Sequence, residues 1–363
     1  MPVATSYNAA WSIIIPLLGL FVLLLQKFAP SLPAITPLVI AALTGSVITA
    51  VHHAEVIAHR VGEPFGTLVL ALAVTIIEVA LIVSLMLVGG SDATALARDT
   101  VFAAVMIILN GIIGMSLLVG GGRHLVQDFQ LEGVNAALGT LSVIVVCTLI
   151  LPNYATSNPG PLYTPGQLGF VAIATLALFA AFTFVQTIRH RGYFLHPDQN
   201  GSRGNDHGER PAKRAAWISI AMLLIALIVV VIGAKAISPV LEAALQTVGA
   251  PPATIGIVIA AIVLLPEGVA AVRAAAKNRL QTSLNLAMGS AIASIGLTIP
   301  TVAAVALIAG WPLMLGIDEK STVLLLLTLF VVSISLRTGR TTVLPGAVHL
   351  VLFASWLFLS FVP

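Results

Sequence analysis

Charge is what this 363-residue chain has least of. Asp, Glu, Lys and Arg together make up 9% of it. A soluble protein carries about 25%, so most of the surface must face lipid rather than water. Cysteine is nearly absent. Cys147 stands alone inside the apolar run LSVIVVCTLI, which excludes an intrachain disulfide and a thiolate metal cage. No Lys or Arg falls near the centre of a hydrophobic run, so a buried ion pair is not available to an interior acid. No hydrophobic run contains an aspartate and no serine–histidine pairing is evident, which argues against a membrane-embedded enzyme. The N-terminal MPVATSYNAAW lacks a basic n-region, so the first apolar stretch reads as a mature helix rather than a cleaved signal.

What the chain has in quantity is apolar length. Apolar residues make up 58% of it, in continuous runs near 11–28, 33–51, 65–89, 100–122, 133–152, 166–188, 215–236, 253–274, 283–310, 321–337 and 342–361. A run of about 20 residues crosses a bilayer as a helix. The expected fold is therefore an all-α polytopic membrane protein of about eleven spans, with Pro16 interrupting the first. A β-barrel is excluded because its strands alternate over about ten residues.

Basic residues set the orientation. Thirteen Lys and Arg lie in connections following even-numbered spans, against four (Lys27, Arg98, Lys235 and Lys320) on the other side. The positive-inside rule then puts the N-terminus and the central loop in the cytoplasm. That loop, residues 189–214, is the one long polar stretch and reads as a flexible linker. Its His190, His196 and His207 are irregularly spaced and form no ligand pattern.

The halves resemble each other in order. AEVIAHRVGEPFG (54–66) parallels LEAALQTVGAPPA (241–253), and RDTVFAAVMIILNGIIG (98–114) parallels RLQTSLNLAMGSAIASIG (279–296). A glutamate follows the first motif in each half, Glu78 or Glu267. The expected domains are an extra N-terminal helix (1–32), a first five-helix repeat (33–188), the linker (189–214) and a second five-helix repeat (215–363). Five is odd, so the repeats insert inverted, an arrangement that places an ion site near the bilayer midplane.

Glu78 and Glu267 are the only two of the fourteen acids deep inside apolar runs. A carboxylate there costs about 2.5–3.5 kcal/mol even on lenient scales, and such residues usually bind ions or relay protons. The alternative is a protonated carboxyl serving packing alone. Thr75 lies one turn before Glu78. Pro266 precedes Glu267 and removes a backbone donor, freeing carbonyl oxygen near 262–264. Hard cations take such carboxylate and carbonyl oxygens. Asn110 and Ser290 interrupt the following runs and add oxygens, with interhelical hydrogen bonding as the plain alternative for them and for Thr75. A carboxyl in hydrocarbon favours its neutral form and a bound cation favours the ionised one, which is the requirement for cation/proton exchange. Two carboxylates match one divalent ion.

The charged segment from His52 through His59 and Arg60 to Glu63 reads as a solvated amphipathic connector, and His349 as a packed, hydrogen-bonded histidine. Asp92, Asp99, Asp318 and Glu319 read as solvated residues of external loops.

VGEPFGTLVLALAVTIIEVALIVSL and LLPEGVAAVRAAAKNRLQTSLNLAMGSAIASIGLTIP, with the late SLRTGRTTVLPGAVHL, resemble the cation/calcium exchanger superfamily, and most nearly its bacterial calcium/proton antiporters of the ChaA type. The resemblance covers nearly the whole chain. It implies an integral protein of the bacterial inner membrane that exports Ca2+, Na+ or K+ against protons. It places the essential repeat glutamates on Glu78 and Glu267, and a Gly-Ser pair on Gly289-Ser290. The superfamily commonly has Gly-Asn shortly before each glutamate; here Val74-Thr75 and Val263-Leu264 stand there. The choice between Ca2+ and a monovalent cation is therefore open, and a passive channel is the rival of another class. The expected partners are metal cations, protons and the lipid bilayer. No nucleic acid and no cofactor are expected, and a homo-oligomer is left open.

Overall fold

The computed structural model describes residues 10–29, 34–62, 65–89, 94–195, 211–247, 249, 251 and 253–362. Each expected apolar run corresponds to a helix. They are α1 (Ala10–Phe28), α2 (Ile35–Val61), α3 (Phe65–Gly89), α4 (Leu96–His124), α5 (Leu131–Tyr154), α6 (Pro165–Arg189), α7 (Lys213–Thr247), α8 (Thr254–Ala276), α9 (Leu280–Ala309), α10 (Glu319–Ser335) and α11 (Val343–Phe361). Among the described residues, nine are long and apolar enough to cross a membrane; α3 contributes the shorter stretch Leu72–Leu87, and α10 has 17 residues. His196, His207, Glu63 and Asp92 lie outside the described residues.

The helices form two compact units that draw on both halves of the sequence. One contains α1, α2, α3 and most of α7; the other contains α4–α6 and α8–α11.

In the first unit, α1 packs on α2 and α7 through Leu23, Ile35, Val39 and Val229. Two departures from the sequence expectation meet here at His53. Helix α1 runs unbroken through Pro16, and α2 continues ten residues beyond 51, to Val61, so the histidine-rich segment is helix rather than connector. A proline at 16 withholds the N–H that the Ser12 carbonyl would receive. His53 on the extended α2 supplies it instead: its Nε2 lies 2.8 Å from that oxygen. The Nε2 proton leaves Nδ1 as acceptor for the Ser219 hydroxyl of α7, 3.1 Å away. His53 is fully buried and joins three helices. Only at Gly62, with φ of +80°, does α2 end.

His53→Leu should therefore remove the buried bonds that tie α2 to Ser12 and Ser219 and cost about 1–3 kcal/mol. A lower midpoint of thermal unfolding in detergent would register that loss; an unchanged midpoint would contradict it.

In the second unit, α4 and α11 lie antiparallel on a seam of small residues. A Cβ added at Gly114 would come 2.9 Å from the Cβ of His349, and one at Gly121 would come 2.5 Å from the backbone nitrogen of Val343. Gly296 of α9 meets Phe179 of α6 in the same way, at 2.7 Å. Small residues allow helix backbones to approach in this manner. Among the described residues, π-helical stretches occur at Ile107–Ile112 in α4, Val146–Ile150 in α5 and Val185–Arg189 in α6.

Backbone and side-chain bonds tie the connections at each end of this unit. At the end where α4 begins, Ile317 N donates to Leu149 O, Asn153 to Ile317 O at 2.6 Å, and Arg98 to Gly316 O at 3.0 Å. Asp99 pairs with Arg98 at 2.8 Å and Asp318 caps α10 through Ser321 N, so both have structural partners. Tyr163, between α5 and α6, donates its hydroxyl to Cys147 O at 2.7 Å. Burial pushes this phenol up to about 12, so it stays a donor at any physiological pH.

At the end where α4 finishes, Gln127 and Asp128 pair antiparallel with Thr341 and Arg340. Gln127 also donates to Ala275 O and Asn278, and Gln281 accepts from Gln130 N. Arg123, Arg273, Lys277, Arg279, Arg337 and Arg340 all gather at this end.

Candidate ion-exchange site

Helix α8 is apolar almost throughout, so Glu267 is held inside the second unit by the burial of its neighbours. Val263, Leu264 and Ala271 share its buried side, and Glu267 itself is 6% exposed. Pro266 withholds the donor for the Ile262 carbonyl while the helix continues through it to Ala276. Gly268 lets α4 come close: a Cβ there would meet Ile112 at 3.2 Å.

Helix α9 follows after a short turn containing Asn278 at φ +58°, and packs back on α8. That return brings Ser290 against Glu267, whose Oε2 accepts a hydrogen bond from the serine hydroxyl. A hydroxyl serves a carboxyl in both of its states. It donates to the carboxylate and, turned, accepts from the acid. The neighbouring Gly289, Met288 and Asn285 border a shallow, narrow cleft with Gln186 and Phe194.

Asn110 also lies in this unit, fully buried in the π-helical stretch of α4. Such stretches occur mostly as single turns, often at functional sites. Its hydrogen bonds run away from Glu267. The amide nitrogen donates to Thr328 Oγ1 of α10 at 2.9 Å, and the amide oxygen faces His349 Nδ1 of α11 at 3.1 Å. His349 is thus buried and hydrogen-bonded, as its apolar run leads one to expect. Thr328 gave no signal in the sequence, being one of five hydroxyl residues in a leucine-rich helix.

In the first unit, Glu78 is 2% exposed and Thr75 4%. They share the buried stripe of α3 with Val74, Leu81, Ile82 and Leu85, while Leu72, Ile76 and Leu87 are exposed on the opposite side. The helical period of 3.6 sets that division. The structure therefore joins Glu267 to Ser290, aligns Glu78 with Thr75, and engages Asn110 with two further helices. Among the described residues, no three His, Cys, Asp or Glu cluster as a closed metal cage.

Comparison with known proteins gives a consistent family. A profile described as sodium/calcium exchanger protein matches residues 31–188 and 218–362. The y4hA protein of Sinorhizobium fredii (strain NBRC 101917 / NGR234), named as an ionic transporter, is 46% identical over 366 residues, spanning 100% of this chain and 99% of its own. The sodium-potassium/proton antiporter ChaA of Escherichia coli (strain K12) is 37% identical over 355 residues, 96% of each chain. Among solved structures, that of the H+/Ca2+ exchanger CAX superposes with a TM-score of 0.72 at 16% identity, over 98% of this chain and 89% of that one. At that identity the likeness speaks to the fold.

Proposed function

Since the chain belongs to the sodium/calcium exchanger family, a family of ion antiporters, we propose that it is a secondary cation/proton antiporter of the bacterial inner membrane in which Glu78 and Glu267 take a proton and a cation in turn. The observation that carries this reading is the Glu267 carboxyl, buried within an apolar helix and bonded to a serine hydroxyl that suits its charged and neutral forms alike. Protons arriving from outside neutralise the carboxyls and release the cation. Loss of those protons on the cytoplasmic side restores the charge that binds the next one. Ser290, Thr75 and the Ile262 carbonyl are assigned as further oxygen donors, and Asn110 as a polar member of the same machinery.

All eleven helices are assigned as membrane spans, α2–α6 and α7–α11 as inverted repeats with α1 outside them. The N-terminus and the central loop are assigned to the cytoplasm. The gathering of six basic residues at one end of the second unit supports that orientation.

Ca2+ is the first-choice cation. A Na+/H+ or K+/H+ antiporter is the second reading, favoured by the ChaA relative and by Val74-Thr75 and Val263-Leu264 where Gly-Asn commonly stands. Everted vesicles holding the protein under an imposed pH gradient decide between them. Ca2+, Na+ or K+ is added in turn while lumenal pH is followed, and the cation that dissipates the gradient is the substrate. No response to any of the three defeats the proposal.

Ser290→Ala removes an orienting hydroxyl and should raise the half-saturating cation concentration about 10–100-fold, the usual loss when a ligand's hydrogen-bond partner is removed. Unchanged half-saturation in the same vesicles would take Ser290 out of the site.

A further inference from the structure

His349, Asn110 and Thr328 come from three helices, α11, α4 and α10, and all three are fully buried. Their bonds leave little freedom. Because the Asn110 amide nitrogen donates to Thr328, its oxygen is the atom presented to His349. An amide oxygen only accepts, so the imidazole must carry its proton on Nδ1. The ring is also held from behind. A Cβ at Gly114 would lie 2.9 Å from the Cβ of His349, so α11 sits on the α4 backbone at this level.

The other ring nitrogen, Nε2, is buried with no hydrogen-bond partner. An imidazolium here would need a counter-charge, and the packed elements bring none near. On α4 the charged groups are Arg98, Asp99, Arg123 and His124, all in its first or last turns. Asp99 is 11 residues from Asn110 and Arg123 is 13, or about 16 Å or more along the helix. On α10 they are Glu319 and Lys320 in the first turn, and α11 has no charged residue. The geometry therefore favours a neutral ring acting as a donor.

The π-helical stretch that bears Asn110 packs on α8 at Gly268, the residue after Glu267. We infer that His349 is a positioning residue of the exchange site: its Nδ1 proton holds Asn110, and with it the π-helical stretch whose Ile112 packs on the Glu267 helix, and thereby sets cation affinity, without His349 carrying a transported proton. This rests on the reading above, in which Asn110 and Glu267 serve one cation.

Exchange in everted vesicles, scanned over cation concentration and pH, tests it. His349→Leu removes the donor and should raise the half-saturating cation concentration about tenfold, the lower end for loss of a ligand's partner, while the maximal rate is kept. His349→Asn supplies an N–H in the place of Nδ1 and should restore wild-type half-saturation with an unmoved pH profile. Thr328→Val releases the other end of the Asn110 amide, should act as His349→Leu does, and serves if that variant fails to fold. Wild-type half-saturation in the folded Leu and Val variants, no recovery in folded His349→Asn, or a displaced pH profile in it, overturns the inference. Glu267→Gln run alongside separates the two claims. If it is inactive while His349→Leu behaves as wild type, only the positioning role fails; if it exchanges normally, the site itself fails.

Discussion

Glu267→Gln is expected to abolish cation-driven proton movement and to leave the protein folded. Glutamine keeps the shape of the side chain, and its amide oxygen still accepts the hydrogen bond from Ser290, so the contact between α8 and α9 survives. What it loses is the ability to ionise. With one of the two carboxyls made permanently neutral, the cation loses half of the negative charge offered to it, and one of the two titratable groups that link the cation to protons is gone. Glu78→Gln is expected to do the same, because that carboxyl sits equally deep on the buried stripe of α3. Vesicle exchange together with size-exclusion elution in detergent reads both halves of the expectation. Normal exchange in either variant would remove that glutamate from the mechanism.

The second large effect is structural. Gly346→Leu should sharply reduce the amount of folded protein. A Cβ at 346 would run into the backbone of Leu118, and it would come 2.8 Å from the Gly114 carbonyl oxygen and from the Leu118 Cα. These are backbone atoms of α4, which have no rotamer in which to retreat. Overpacking a core costs about 1–3 kcal/mol when side chains can adjust, and here the two helices must separate. That separation would also pull His349 from Asn110. Yield of monodisperse protein and the unfolding midpoint measure it. A leucine variant as stable as the parent would mean that α4 and α11 do not approach as closely as the glycines indicate.

The helices were legible because lipid demands continuous apolar length, and each run found in the sequence became one helix. Their ends were less so. Hydropathy falls at His52, yet nothing between there and Gly62 stops a helix, and α2 continues. Pro16 suggested a break because its missing donor is visible locally. The donor that replaces it, His53, stands 41 residues from Ser12. Glu78, Glu267, Asn110 and Ser290 stood out because each puts a polar group where apolar ones surround it. The bonds of Asn110 could not be read in the same way. Thr328 and His349 lie 218 and 239 residues away from it, and only the packing of three helices brings them together.

Competition of proton and cation for the same carboxyls is the core of the account, and proton release on cation binding measures it most directly. Purified protein in detergent, in weakly buffered solution with a pH indicator, is titrated with Ca2+, Na+ or K+ in the absence of any membrane gradient. The account predicts that the transported cation acidifies the solution in saturable fashion, and that Glu78→Gln and Glu267→Gln each diminish or abolish the release. Saturable cation binding with no proton release, or the same release from both glutamine variants as from the parent protein, would contradict it.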